Sequence, residues 1–247
     1  MEVTTVANTS PSARELLTVT GHTGPVLNVN FHPDPAHASL LCTAAADASV
    51  RLWDVRAATQ RAVGQIPVQH GQAVAAVEWC PAANSSSSPL LAVTERNGTV
   101  YVYDTRKISA AAAPTASAAR GRDKSSSHNS SALCAFHMAP WIAETCIFSP
   151  DGDYLVAGGT IRGEGTAEVR IWPWKTASST NTSTTDTAGS GSGAGQEPAG
   201  MVSYPAHAGP IYSMQFSHDG QQLVTGGSDA IVGLWDCTRS TGSMVCT

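Results

Sequence analysis

The sequence predicts an all-β fold in which short-stranded sheets stack radially around a common axis, and three observations predict it. The first is a repeat. In four copies an aromatic stands nine places after a histidine or its counterpart, and the copies end Phe31-His32-Pro33, Trp79-Cys80-Pro81, Phe148-Ser149-Pro150 and Phe216-Ser217-His218. In the second, each copy continues into an apolar run, a polar tight turn and another apolar run closed by an aromatic, at Trp53-Asp54, Tyr103-Asp104, Trp172-Pro173 and Trp235-Asp236. The third is texture: apolar and β-branched runs of about four to six residues are bounded by Gly, Asp, Pro and Ser, with no sustained helical period. A repeat of three or four short strands leaves its own faces uncovered, so copies must stack as propeller blades to bury them.

The elements follow in order. Residues 1–14 read as a disordered polar tail, and 15–108 as blades one and two. Leu16 to Thr20 is predicted as an outer strand, followed by inner strand Val26 to Phe31 and by strands Leu40 to Thr43 and Val50 to Trp53 around the Asp47 turn. The second blade uses Val74 to Trp79, Leu90 to Thr94 and Val100 to Tyr103, with Asn97-Gly98 as the turn. The Ser/Ala-rich stretch 109–131, which carries Arg120, Arg122 and Lys124, cannot bury enough apolar surface to offset its ordering entropy and is predicted disordered. Blade three is predicted over 132–175, a second flexible insertion over 176–200, and blade four over 201–247.

Composition narrows the function. Net charge over the 247 residues is -5, which argues against a protein held to nucleic acid by its overall field. Three basic residues in a Ser-rich stretch read as a solubilising run. Six scattered cysteines without a C-x-x-C pair predict free thiols in a reduced compartment. The N-terminus has no signal-peptide pattern, and no apolar run approaches the ~18 residues of a membrane span. No phosphate loop, cofactor motif or zinc spacing is present, and His32, Asp34 and His37 read as a solvated loop rather than a metal site.

Two polar quartets recur: His22, Thr43, Asp47 and Trp53 in the first repeat, and His207, Thr225, Asp229 and Trp235 in the fourth. A hydroxyl, an imidazole and a carboxylate are the parts of a nucleophilic triad. Their occurrence twice favours a structural role instead: a relay from Trp N–H through Thr and His to Asp that satisfies buried donors at a tight turn. Repeats two and three depart from the pattern, with Val93, Asn97 and Tyr103 in one and Ala157 and Trp172 in the other, and packing is expected to hold them. Turns between the middle strands line one rim of the channel, so Ala46, Arg96 and Ser228, each just before its turn Asp or Asn, are the candidate protein-contact positions.

Three segments, Gly21-His22-Thr23-Gly24-Pro25-Val26, Ala46 to Arg56 with its Leu52-Trp53-Asp54-Val55-Arg56 run, and Ser228 to Asp236, resemble the WD-repeat superfamily. Within it the chain is similar to the family of WD-repeat (third) subunits of the THO complex. That likeness rests on the Trp-Asp-Val-Arg run, the Ala206-His207 turn, the Thr225 to Asp236 strand, and strong outer repeats flanking two degenerate ones. The resemblance implies a nuclear, non-enzymatic scaffold in mRNA export that contacts other THO subunits, without cofactor. The alternative class is a substrate-recognition propeller for a ubiquitin ligase or another signalling complex.

The resemblance also implies a ring of seven blades, of which four are legible. The expectation is therefore an open four-blade arc belonging to a longer chain, with about three further repeats beyond Thr247. In that reading Met244 to Thr247 is the outer strand of blade four, and Leu16 to Thr20 awaits a blade the sequence does not contain.

Overall fold

The computed structural model describes residues 17–57, 62–68, 71–81, 89–108, 132–138, 140–161, 163, 165–177, 200–240 and 243–247. The expectations for residues 1–14, for Arg120, Arg122 and Lys124, and for nearly all of both insertions lie outside them.

The described residues form four antiparallel four-stranded sheets. The first contains β1 (Val26–Phe31), β2 (Leu40–Ala45), β3 (Ser49–Asp54) and β4 (Gly64–Pro67) in that order. The second contains β5 (Val74–Trp79), β6 (Leu90–Glu95), β7 (Thr99–Asp104) and β8 (Ala132–His137). The third runs from β9 (Trp141–Phe148) through β10 (Leu155–Ile161) and β11 (Ala167–Trp172) to β12 (Val202–His207). The fourth contains β13 (Ile211–Phe216), β14 (Gln222–Gly227), β15 (Val232–Ser240) and β16 (Ser243–Cys246). One turn of helix, α1 (Trp174–Ala177), follows β11, and its Trp174 indole donates to the Gly152 carbonyl at 2.9 Å.

The inner strands are neighbours in sequence order, β1 beside β5, β5 beside β9 and β9 beside β13. Each blade-to-blade seam is a hydrophobic cluster. Cys42, Ala44, Val50, Leu52 and Ile66 of the first sheet meet Val74, Val77, Trp79, Leu91 and Tyr103 of the second. Ala92, Val100, Val102 and Phe136 meet Cys146, Phe148, Ala157 and Trp172. Val156, Val169 and Ile171 meet Ile211, Met214 and Leu223. Burial at these seams is the main stabilising term, because no blade covers its own faces. The arc is open: Val26, Val29 and Phe31 at one end, and Tyr212, Val232 and Leu234 at the other, are exposed.

Sheet membership corrects the sequence reading by one strand per blade. β8 pairs with β7 and β12 with β11, so 132–137 completes blade two and 202–207 completes blade three. Each repeat therefore opens with the outer strand of the preceding blade. Leu17 to Thr20 form no strand. The outer place in the first sheet goes to β4 instead. β16 pairs with Cys237 to Ser240, the extension of β15 past the Trp-Asp pair, and Thr247 exchanges backbone bonds with Asp236. The outer edge of Val232 to Trp235 is thereby left without a strand among the described residues.

The expectation of six free thiols is also corrected. Cys237 and Cys246 lie directly opposite on the β15–β16 hairpin and form a disulfide. Cys42, Cys80, Cys134 and Cys146 are free and buried.

Strand polarity sorts the connections. The β2–β3, β6–β7, β10–β11 and β14–β15 turns gather at the end of the sheets where the inner strands begin, here called the turn face. The β1–β2 and β3–β4 type connections all emerge at the opposite end.

Candidate protein-interaction face

The turn face is built from one motif in three of the four blades. The residue after the second strand closes onto the residue before the inner strand: Ala46 N–H donates to Pro25 O at 2.9 Å, Arg96 N–H to Ala73 O at 3.1 Å, and Ser228 N–H to Pro210 O at 2.9 Å. The structure thus places Ala46, Arg96 and Ser228 at equivalent points with all three side chains exposed. In the third blade the connection is longer, and Ile161 N–H donates to Thr166 O instead.

Beneath these positions sit the polar quartets. His22 Nδ1 lies 2.9 Å from Asp47 Oδ2 and its Nε2 lies 2.7 Å from Thr43 Oγ1, which accepts from Trp53 Nε1 at 2.9 Å. The fourth blade matches: His207 Nδ1 to Asp229 Oδ1 is 2.9 Å, Nε2 to Thr225 Oγ1 is 2.8 Å, and Trp235 Nε1 donates to Thr225 Oγ1 at 3.0 Å. One tautomer, protonated at Nδ1, satisfies every group, because the hydroxyl then donates to Nε2 while accepting from the indole.

His207 ends β12, the outer strand of blade three, while its three partners belong to blade four. The quartet therefore ties adjacent blades together as well as closing a turn. Sequence spacing exposed the quartet but not this bridging, which depends on strand exchange between repeat and blade. Ser49, which spacing missed, adds a hydroxyl bond to Asp47 Oδ1 at 2.7 Å.

The turn carboxylates also order the backbone. Asp47 accepts from the N–H groups of Thr23 and Ser49, and Asp229 from those of Ala208 and Ile231. These bonds hold Ala48 and Ala230 at φ 60° and 63°, a left-handed conformation that costs a residue with a Cβ about 1–2 kcal/mol. Blade two uses Asn97 for the same Thr99 N–H bond and has Gly98 at φ 89°.

Burial alone would raise the Asp47 carboxyl. The bonds from Ser49, Thr23 and His22 outweigh it and hold the group at about 2. For Asp229 the Ala208 N–H bond leads, opposed by burial and aided by His207 and Ile231, and the result is again a lowered pKa.

Two inner-strand carboxylates escaped the sequence reading. Glu78 on β5 accepts from Asn30 Nδ2 on β1, and burial pushes it up to about 7 against that hydrogen bond. Glu144 on β9 accepts from Thr160 Oγ1 at 3.0 Å and is raised by burial, with the Thr160 bond and the charge of Arg96 opposing. Arg96 thus stands on the rim with its charge felt inside the arc. No period or motif flags either carboxylate, since their burial follows from blade packing.

His32, Asp34 and His37 come together only as a cap: Asp34 accepts from Ala36 N–H at 2.8 Å and lies 3.3 Å from His37 Nδ1, at a turn of 3-10 helix over Pro35–His37. No group of three or more His, Cys, Asp or Glu suited to a metal ion occurs among the described residues.

This geometry defines a β-propeller whose exposed turns stand on buried relays. Residues 13–54 and 201–236 match the WD domain, G-beta repeat family, in keeping with a WD-type propeller of four blades. It is also similar to the transcriptional corepressor LEUNIG_HOMOLOG of Arabidopsis thaliana, 27% identical over 88 residues. That stretch covers 36% of this chain and 11% of the relative, so the chain spans only a small part of the relative's length. No helix among the described residues is long and apolar enough to cross a membrane.

Proposed function

We propose that the chain is a non-enzymatic scaffold that captures other proteins on its turn face, in a nuclear assembly linked to transcription. The observation that carries this reading is the set of three equivalent, exposed positions, Ala46, Arg96 and Ser228, set on hydrogen-bonded turns. Rigid loops on a packed scaffold present side chains at low entropic cost, as recognition requires. An enzymatic use of the quartets is disfavoured by their chemistry. Thr43 and Thr225 are buried, and each hydroxyl is already engaged by an indole and an imidazole.

Within that reading the assembly is the THO complex, which the Trp-Asp-Val-Arg run and the order of strong and degenerate repeats support. A second reading, a subunit of a corepressor assembly, is favoured by the 88-residue likeness to a transcriptional corepressor.

Affinity capture with the tagged full chain from nuclear extract tests both. Recovery of THO subunits supports the first reading, and recovery of corepressor components without them replaces it with the second. Ubiquitin-ligase subunits in place of either overturn both. Arg96→Glu reverses a rim charge, and we expect it to reduce capture several-fold with an unchanged melting curve. Unchanged capture removes Arg96 from the contact surface.

A further inference from the structure

Blade four is tied to blade three at both ends of the seam they share. At the turn face the tie is His207, which ends β12 and bonds Thr225 and Asp229 of blade four. At the opposite end it is the β15–β16 hairpin. Arg239 on β15 forms an ion pair with Asp151 in the β9–β10 turn, and its guanidinium lies 5.9 Å from the ring centre of Tyr154. On β16, Met244 is fully buried in the cluster that also holds Val156, Val169 and Ile171 of blade three.

The ladder of this hairpin dictates where a covalent link can form. Asp236 and Thr247 exchange both backbone bonds, at 2.9 and 3.0 Å. The next pair along, Cys237 and Cys246, is therefore a non-hydrogen-bonded pair, the position at which side chains of an antiparallel ladder approach most closely. Their Cα atoms are 4.0 Å apart and their sulfurs are joined. The other four cysteines are free, buried and chemically withheld. Burial pushes the Cys80 thiol up to about 11 and those of Cys134 and Cys146 up to about 12, and it raises Cys42 as well, whereas exchange needs a thiolate. Cys237 and Cys246 are 7% and 3% exposed, so an external thiol reaches them only when the hairpin lifts from blade three. Opening the bridge and lifting the hairpin are thus coupled events.

We propose that Cys237 and Cys246 form a reversible redox lock on the seam between blades three and four, closed as the disulfide and opened by exchange with a small thiol of the glutathione class. In the opening step an external thiolate attacks one bridge sulfur, the S–S bond breaks, and the other sulfur leaves as a thiolate that takes up a proton. A second external thiol then displaces the first from the mixed disulfide. In sum the bridge gains two electrons and two protons, and two external thiols become one disulfide. With the bridge open, no covalent link joins β16 to β15, and the hairpin lifts more often, uncovering Met244 and parting Arg239 from Asp151.

The test equilibrates the purified full chain in mixtures of reduced and oxidised glutathione, alkylates free thiols and reads each cysteine by peptide mass spectrometry. Cys237 and Cys246 are expected to pass together from bridged to doubly alkylated across the series, while Cys42, Cys80, Cys134 and Cys146 stay unmodified until the chain is unfolded. Amide exchange at 243–246 should be several-fold faster in the reduced state, with β1 to β3 unchanged. Cys237→Ser combined with Cys246→Ser should show that faster exchange at every glutathione ratio. Arg239→Gln, which keeps both cysteines and breaks only the ion pair, should speed reduction of the bridge several-fold. A bridge that stays closed in the most reducing mixture, or open in the most oxidising one, overturns the proposal. Interconversion that leaves exchange at 243–246 unchanged, or an Arg239→Gln chain reduced no faster than the parent, overturns it by showing that the bridge does not act on the seam.

Discussion

Asp47 gathers bonds from Thr23, Ser49 and His22, and its loss would leave those donors facing a hole at the base of the first turn. Asp47→Ala is expected to lower unfolding stability by about 1–3 kcal/mol in urea, the usual cost of stranding buried polar groups. The carboxyl is depressed to about 2, below the ordinary aspartate value near 4. Its contribution is therefore complete above about pH 4 and disappears as the pH falls toward 2. The difference between parent and Asp47→Ala, followed by urea melts across that window, should shrink on acidification; a constant difference would mean that the carboxylate is not the stabilising form. At this scale the sequence was informative where spacing encodes chemistry, as with His22, Thr43 and Trp53. It was silent at Glu78 and Glu144, whose environment comes from a neighbouring blade.

Strands rich in Val and aromatic residues, such as β3 and β7, were legible because their composition suits a pleated, buried surface. β4, whose four residues are Gly-Gln-Ile-Pro, carries two residues that usually interrupt strands, and it exists because the outer edge of β3 offers a ladder. The β15–β16 hairpin shows the limit of reading strands singly. Met244 to Cys246 was legible as a strand, but its pairing below Asp236, and hence the meeting of Cys237 with Cys246, depends on register. The disulfide closes a loop of 9 residues, and chain-entropy reasoning gives it about 2–3 kcal/mol on that hairpin. Cys246→Ser should therefore speed amide exchange at 243–246 while leaving β1 to β3 as protected as before. Equal loss of protection in both places would show that the hairpin and the first blade unfold as one unit.

For the molecule as a whole, blade number and an open arc were both legible, because four repeat signatures count blades directly. The offset of one strand between repeat and blade was not, since outer-strand ownership is a matter of which edge is nearer.

The sorting of connections by strand polarity has a practical consequence. The long joins between β5 and β6, β7 and β8, and β11 and β12 all leave from the end opposite the turn face, so length can accumulate there without crowding the rim. Loop-closure cost grows only by about 0.6 kcal/mol per doubling of length. A fluorescent protein spliced between residues 120 and 121 should therefore leave the melting temperature and the Arg96-dependent capture as they are, whereas the same graft between Ala46 and Asp47 should abolish capture. The fold in effect has a handle and a grip, and it can be labelled, tethered or lengthened at the first without being felt at the second.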